Sequence, residues 1–316
     1  GAGALAMNDT DPIYLDYNAT TPVLPEVVDA MLPYLRDHFG NPSSGHVYGQ
    51  RARQAVARAR EQVAALVGCE PDEVIFTSGG TEANNLAIRG VTDARDDRRH
   101  VVTTLIEHPA TARPCDWLEK HGWRVSRVGV DAQGCARVDE AAKAVGADTA
   151  LVTVMHSNNE TGVIQPVEEL ARLAHAVGAL AHTDAAQSLG KVRVNVRELD
   201  VDLLSMAGHK LYAPKGVGAL YVKRGTPLLP FVLGAGHERG LRPGTENVAF
   251  IAGLGVACDA MGRDLDAASA RMRDRRDALW HALAAGVPGI QLNGHHELRP
   301  PNTLNVRFPG ASGEAL

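Results

Sequence analysis

Residues 150–188 read ALVTVMHSNNETGVIQPVEELARLAHAVGALAHTDAAQS. The stretch opens on an apolar, β-branched run, Ala150–Met155, of the kind that suits a strand buried on both faces. Polar residues follow, and Pro166–Val177 then carries apolar residues at helical spacing. A second short apolar run, Ala179–Thr183, ends on Asp184. Strand, helix and strand in that order read as a βαβ unit, whose two strands lie parallel because the chain crosses back through the helix.

The same alternation extends in both directions. It predicts strands at Val74–Thr77, Val101–Leu105, Arg124–Val128, Asp202–Met206 and Gly218–Val222, with helices at Thr81–Gly90 and Ala110–His121. The fold class is therefore α/β, a mainly parallel sheet flanked by helices. Ligands in such sheets sit beyond the strand carboxyl ends, so the residues just past each strand carry the functional information.

Two helices are expected ahead of the sheet, Pro25–His38 and Gly49–Val67; Ala52, Ala55, Val56, Ala59, Val63 and Leu66 form one apolar stripe on the second. After the last sheet strand, Ala249–Ala285 is again helical with a break near Gly262. Asp264–Ala285 would carry the chain into a second, smaller α+β domain with a strand at Thr303–Phe308. The expected division is a large domain over residues 20–262 and a small one built from residues 7–19 with 263–316. Residues 1–6 precede Met7 and read as a tag remnant, since they lack the charged start and long apolar core of a signal peptide. Ser312 stands where an N-cap would, ahead of Glu314-Ala315-Leu316, so a helix is expected to begin there and the chain to continue past Leu316.

Composition narrows the function classes. A formal charge of -5 over 316 residues argues against a nucleic-acid or anionic-membrane surface. Arg271, Arg273, Arg275 and Arg276 are interleaved with Asp274 and Asp277, the pattern of a solvated helix face. No apolar run approaches the roughly 20 residues of a membrane span. Cys69, Cys115, Cys135 and Cys258 are far apart and form no C-x-x-C pair, which fits a reducing, cytoplasmic setting. His295-His296 near Glu297 has no metal-ligand spacing, and no metal is expected.

Three segments carry chemistry. Ser205-Met206-Ala207-Gly208-His209-Lys210-Leu211-Tyr212-Ala213-Pro214-Lys215-Gly216 sets Lys210 just past a strand, between a Gly-His pair and a Pro-Lys-Gly turn. A lysine held there, partly unprotonated, suits Schiff-base formation with an aldehyde. His182-Thr183-Asp184-Ala185-Ala186-Gln187 places Asp184 at the end of a nearby strand, where a carboxylate can pair with the pyridinium of pyridoxal 5'-phosphate. Thr77-Ser78-Gly79-Gly80-Thr81-Glu82 runs from a strand through two glycines into a helix; the N–H groups around Gly80 and the Thr81 hydroxyl make a phosphate site. It matches neither the P-loop nor the dinucleotide fingerprint. His108, Asn159 and Gln187 also follow strands, with His108 placed to stack on the ring and Gln187 to reach its phenolic oxygen.

Together these segments resemble the cysteine desulfurase family of class V, fold-type I pyridoxal-phosphate enzymes. The likeness includes Tyr14-Leu15-Asp16-Tyr17-Asn18-Ala19-Thr20-Thr21-Pro22, Gly40-Asn41-Pro42-Ser43-Ser44, Arg239-Gly240-Leu241-Arg242-Pro243-Gly244-Thr245-Glu246-Asn247 and Asn302-Thr303-Leu304-Asn305-Val306. The resemblance implies that Lys210 anchors the cofactor and moves protons, and that Asp184 holds the pyridinium. It implies His108 stacked on the ring, Gln187 at the phenolic oxygen and Asn159 near cofactor and substrate carboxylate. Thr81, Ser205 and His209 would bind phosphate, helped by Thr245 from the partner in a homodimer. The implied reaction takes sulfur from L-cysteine, leaves L-alanine, and passes the sulfur to an iron–sulfur scaffold or other acceptor protein. In the family the persulfide-forming cysteine lies past the equivalent of Leu316, and none of the four cysteines here has its sequence context. Selenocysteine lyase, a class V aminotransferase and a non-catalytic cofactor-binding scaffold share the same cofactor residues.

Overall fold

A computed structural model describes residues 12–313. The chain runs α1 (Pro25–Arg36), α2 (Val47–Val67), β1 (Val74–Thr77), α3 (Gly80–Ala94), β2 (His100–Thr104), α4 (Pro109–Lys120), β3 (Arg124–Val128), α5 (Val138–Ala144) and β4 (Thr149–Met155). It continues through α6 (Val167–Ala176), β5 (Leu180–Asp184), β6 (Leu203–Ala207), β7 (Gly218–Val222), α7 (Val248–Arg263), α8 (Leu265–Gly286), β8 (Gln291–Leu292) and β9 (Val306–Arg307).

The large sheet has the strand order β1-β7-β6-β5-β4-β2-β3. Pairings from β6 across to β3 are parallel, while β7 is antiparallel to both β6 and β1. Since β7 reverses direction twice over, β1 points the same way as β6. Six strands therefore deliver their carboxyl ends to one edge of the sheet, and β7 starts from that edge. At this edge the β7 residue Gly218 sits opposite both Thr77 and Ala207. A Cβ on Gly218 would lie 2.6 Å from the Met206 carbonyl oxygen and 2.7 Å from the Gly79 Cα, so only glycine lets the Gly79-Gly80 turn lie against β7.

Side chains alternate across the sheet as the strand period requires. Leu204 and Met206 of β6 face a core shared with α1, α2, α6 and α7, whereas Leu203 faces a second core with Ile75, Leu86, Ile88 and Leu118 from β1, α3 and α4. Both sheet faces are thus covered, which is why the strands read as near-continuous apolar runs. The alternation also buries polar groups: Thr153, His182 and Ser205 form a ladder across β4, β5 and β6, with Thr153 Oγ1 2.7 Å from His182 Nδ1 and His182 Nε2 2.9 Å from Ser205 Oγ. Burial alone lowers the His182 pKa to about 3, so the ring is neutral and acts as a strut.

Several boundaries differ from the sequence reading. β2 stops at Thr104: Leu105 still donates its N–H to the Val128 carbonyl of β3, but the chain turns there and its side chain is exposed. α7 and α8 are separated at Asp264 (φ -135°, ψ 27°), two residues past Gly262. The strand expected at Thr303–Phe308 shrinks to Val306–Arg307, which pairs with Gln291–Leu292. α5 was not anticipated, being only 7 residues long and buried at Ala141 alone. The helix start expected at 314–316 and the tag residues 1–6 lie outside the described residues. Among the described residues no helix is long and apolar enough to cross a membrane.

Candidate active site

Asp184 ends β5, and the sheet edge shapes its surroundings. Its Oδ2 accepts a 2.7 Å hydrogen bond from Asn84 Nδ2 of α3, and its Oδ1 accepts from the Ala186 N–H at 3.0 Å. Asp184 is nearly buried, and Asn84 is fully so. The two donors fix the orientation of the carboxylate at the floor of the edge.

Lys210 follows β6 and sits half-buried, its Nζ donating to the Asn18 carbonyl and, at 2.7 Å, to the Ala19 carbonyl. Burial pushes its amine below the usual lysine value, while Asp16 and Asp184 pull it back up. Gln187 converges on the same point, since its Nε2 donates to the Asn18 carbonyl at 2.9 Å. Asn18 is itself fixed: its Nδ2 reaches the Asn159 carbonyl at 3.3 Å and Thr303 Oγ1 at 3.1 Å, and its Oδ1 accepts from Asn302 Nδ2 at 3.0 Å. One residue of the leading segment therefore ties Lys210, Gln187, Asn159 and the 302–303 turn together. Behind Gln187 lies Lys191, buried, with its Nζ 3.1 Å from the Gln187 carbonyl and its pKa lowered to about 7 by burial and by Lys210.

On the α3 side, Gly79 forms the N-cap with φ 152° and no side-chain cap, so the first N–H groups of the 15-residue helix are left for a ligand. Thr81 is exposed beside them. Thr81 and His108 line one cavity of about 470 Å³ with Asn85, Arg89, Ala110 and Trp117. His108 caps α4, its Nδ1 accepting from the Ala110 N–H at 3.1 Å, so a neutral ring carries its proton on Nε2. His209 turns its Nδ1 to Thr20 Oγ1 at 3.1 Å, and burial followed by Lys210 lowers its pKa. Thr245 is exposed, and its segment is pinned by Arg242 Nε, which lies 2.8 Å from Glu82 Oε1.

One expected phosphate ligand is placed elsewhere. Ser205 is completely buried in mid-strand, and its hydroxyl is used by His182. The β6 residue that meets the glycine turn is Ala207, whose Cβ lies 3.2 Å from where a Cβ on Gly80 would be. Strand periodicity could have indicated this, because Ser205 and Ala207 share a face but only Ala207 is at the edge. Asn18, Asn84 and Glu107 are site residues that the motif reading passed over. Asn84 had a visible signal, a polar residue between Ala83 and Leu86-Ala87 on an apolar helix face.

The four cysteines carry no poised nucleophile. Burial pushes the thiols of Cys69, Cys115 and Cys258 up to about 12, and burial also raises Cys135. Among the described residues no group of three or more His, Cys, Asp or Glu is arranged to hold a metal.

Comparison with known proteins fits this geometry. Residues 13–316 match the family described as Aminotransferase class-V. The chain is 45% identical over 304 residues to a cysteine desulfurase of Trichormus azollae, covering 96% of this chain and 76% of that protein. It is 44% identical to the cysteine desulfurase NifS of Azotobacter vinelandii, again over 96% of this chain and 76% of that one. Among solved structures, a NifS-like protein superposes with a TM-score of 0.92 at 38% identity, covering 96% of this chain and 84% of that one. DndA from Streptomyces lividans gives 0.85 at 41% identity, covering 96% and 86%. The chain belongs to the class-V aminotransferase family, whose fold-type I architecture it shares. Within that family it is an enzyme of the cysteine desulfurase branch, and membership implies pyridoxal 5'-phosphate as cofactor.

Proposed function

We propose that this chain binds pyridoxal 5'-phosphate at the sheet edge through Lys210 and removes sulfur from L-cysteine, leaving L-alanine. The observation that carries the reading is the convergence of Lys210 Nζ and Gln187 Nε2 on one carbonyl, that of Asn18, beside an Asp184 carboxylate already oriented by Asn84. The donor set fits the cofactor: an uncapped helix N-terminus and a hydroxyl for a phosphate, a carboxylate for a pyridinium, and a half-buried amine for an aldehyde.

When bound, the cofactor supplies an electron sink that acidifies the substrate Cα–H and weakens the bond from Cβ to sulfur. The chain's own residues then have separable tasks. Asp184 holds the ring nitrogen's proton in place by charge. Gly80 N–H and the Thr81 hydroxyl take the phosphate, with His209 alongside and Thr245 contributed by the partner in a homodimer. His108, its ring fixed by capping α4, covers one face of the cofactor. Gln187 donates to the phenolic oxygen and Asn159 orients the substrate carboxylate. Lys210, with its amine held below the usual lysine value, is equipped to take the Cα proton and return it. Sulfur departs to a thiolate that is none of Cys69, Cys115, Cys135 and Cys258, all of which have raised pKa values.

The same proposal includes a large cofactor-binding unit over residues 20–262, a smaller one from 7–19 with 263–316, and a reducing, cytoplasmic setting in which the four cysteines stay free. Iron–sulfur scaffolds or other sulfur-acceptor proteins are its expected partners. The test is to incubate the full-length protein with pyridoxal 5'-phosphate, record the visible band of a lysine-bound cofactor, and measure alanine release from cysteine. Lys210→Ala abolishes both if the reading holds. A protein that takes up cofactor but releases alanine only from selenocysteine, or forms a pyridoxamine product with a keto acid, redirects the assignment within the family.

A further inference from the structure

Glu107 precedes His108 at the end of β2, and its carboxyl group is bound on one side only. Oε1 accepts from the Thr104 hydroxyl at 2.6 Å and from the Met155 backbone N–H at 3.0 Å. Oε2 is shut off from solvent and has no hydrogen-bond partner among the described residues. Met155 is the β4 residue directly opposite Asp184 in the β4–β5 register. Glu107 thus bridges the segment that carries His108 to the strand rung beside Asp184.

The charges around Glu107 disfavour a second anion. Asp184 faces it from β5 and the buried Cys115 thiol from α4, while β2 and β4 offer only the Thr104 hydroxyl and the Met155 N–H. Among the described residues no cation acts on it. A sealed oxygen with no donor and a carboxylate nearby is the environment of a carboxylic acid that keeps its proton. Asp184, by contrast, has donors on both of its oxygens, from Asn84 Nδ2 and the Ala186 N–H.

We propose that Glu107 is a positioning residue that works as a neutral carboxylic acid, fastening the His108 segment to β4 without adding a second negative charge beside the Asp184 carboxylate. The inference rests on the reading of Asp184 and His108 as cofactor residues, but its protonation half stands on the protein alone. Burial, the leading cause, raises the Glu107 pKa to about 8, against the opposing hydrogen bonds from Thr104 and Met155. The sign follows. The folded form keeps a proton that the unfolded form gives up at an ordinary glutamate pKa, so stability is full below that value and is lost as pH climbs toward 8.

Two measurements test it. The first uses the protein without added cofactor: an infrared difference spectrum of wild type against Glu107→Gln shows a protonated carboxyl band at pH 6 that vanishes by pH 9.5. The second is the dissociation constant for pyridoxal 5'-phosphate from pH 6.5 to 9.5 in wild type, Glu107→Gln and Glu107→Ala. Glu107→Gln, which keeps an acceptor for Thr104 and Met155 and cannot ionise, binds like wild type at pH 6.5. Above pH 8 wild type weakens relative to Glu107→Gln by about tenfold per pH unit of ionisation. Glu107→Ala binds weakly at every pH. Absence of the carboxyl band, or a wild-type alkaline loss that persists unchanged in Glu107→Gln, overturns the proposal. If wild type shows the band but takes up no cofactor at any pH, the positioning role is overturned along with the cofactor reading, and the neutral acid alone survives.

Discussion

Replacing Arg60 with leucine should destabilise the protein by about 3–4 kcal/mol, and the structure shows where that figure comes from. Arg60 forms a two-pronged pair with Glu238, Nη2 to Oε1 at 2.6 Å and Nη1 to Oε2 at 2.9 Å, while Nη1 also reaches the Val74 carbonyl at 2.6 Å. The Glu238 side chain is 2% exposed and that of Arg60 20%. Orphaning one partner of a buried pair costs about 3–5 kcal/mol. The lower end applies, because the Phe76 N–H still donates to Glu238 Oε2 at 2.9 Å and water can reach the Arg60 fringe. The guanidinium also lies 4.7 Å from the Phe76 ring centroid, a contact that contributes about 0.5–1 kcal/mol. Glu238 and Arg239 have φ of 47° and 58°, so the pair holds a backbone turn that relaxes once the anchor is lost. Urea denaturation followed by circular dichroism measures the loss, with Arg60→Leu/Glu238→Gln as the companion. The double variant no longer buries an unpaired charge and should be more stable than Arg60→Leu. An Arg60→Leu protein within about 1 kcal/mol of wild type would refute the reasoning, since the lower bound for a buried orphan is about three times that. So would a double variant as unstable as the single.

Gly218→Ala drives a Cβ into the Met206 carbonyl and the Gly79 backbone, so it should cost about 1–3 kcal/mol and weaken cofactor uptake; thermal melts and equilibrium dialysis check both. Ser205→Ala should lower stability by about 1–3 kcal/mol through the unpaired His182 nitrogen yet leave cofactor affinity unchanged, whereas Thr81→Ala weakens that affinity. Burial holds His182 at about 3 and His156 at about 4, against 6.5 for an ordinary histidine. The unfolded chain therefore takes up protons below pH 6.5 that the folded chain refuses, and stability falls as pH drops from 6.5 toward 4. At pH 5 each contributes a loss of about 2 kcal/mol, read as a shift in denaturation midpoint that His182→Gln makes smaller.

The sheet was legible because burial on both faces writes its strands as unbroken apolar runs, and the intervening helices keep their own period. Boundaries slipped where one exposed residue, such as Leu105, continued an apolar run into a turn. The pairing of β8 with β9 was not legible, since two residues on each side carry no periodicity. At the site, Lys210, Asp184, Gly80 and His108 stood out because each ends or follows a strand. Asn18 and Glu107 did not, because their work is done by a backbone carbonyl and by a side chain turned inward. The Ser205 misplacement has the same origin: a motif names the residue types near a ligand, whereas position along the strand decides which of them reaches the edge.

The lone reversed strand also sets a schedule for how the molecule is made. β1 hydrogen-bonds only to β7, so it has no neighbour in the sheet until Gly218–Val222 exists. Ribosomes add about 5–20 residues per second, and roughly 140 residues separate the two strands, so Val74–Thr77 waits on the order of 7–30 seconds for its pairing. During that interval the apolar run Val74-Ile75-Phe76 and the glycine turn beyond it stay open to other chains. The last step of sheet assembly is also the one that sets Gly79 against Gly218, so competence to receive a phosphate waits until β7 has been made.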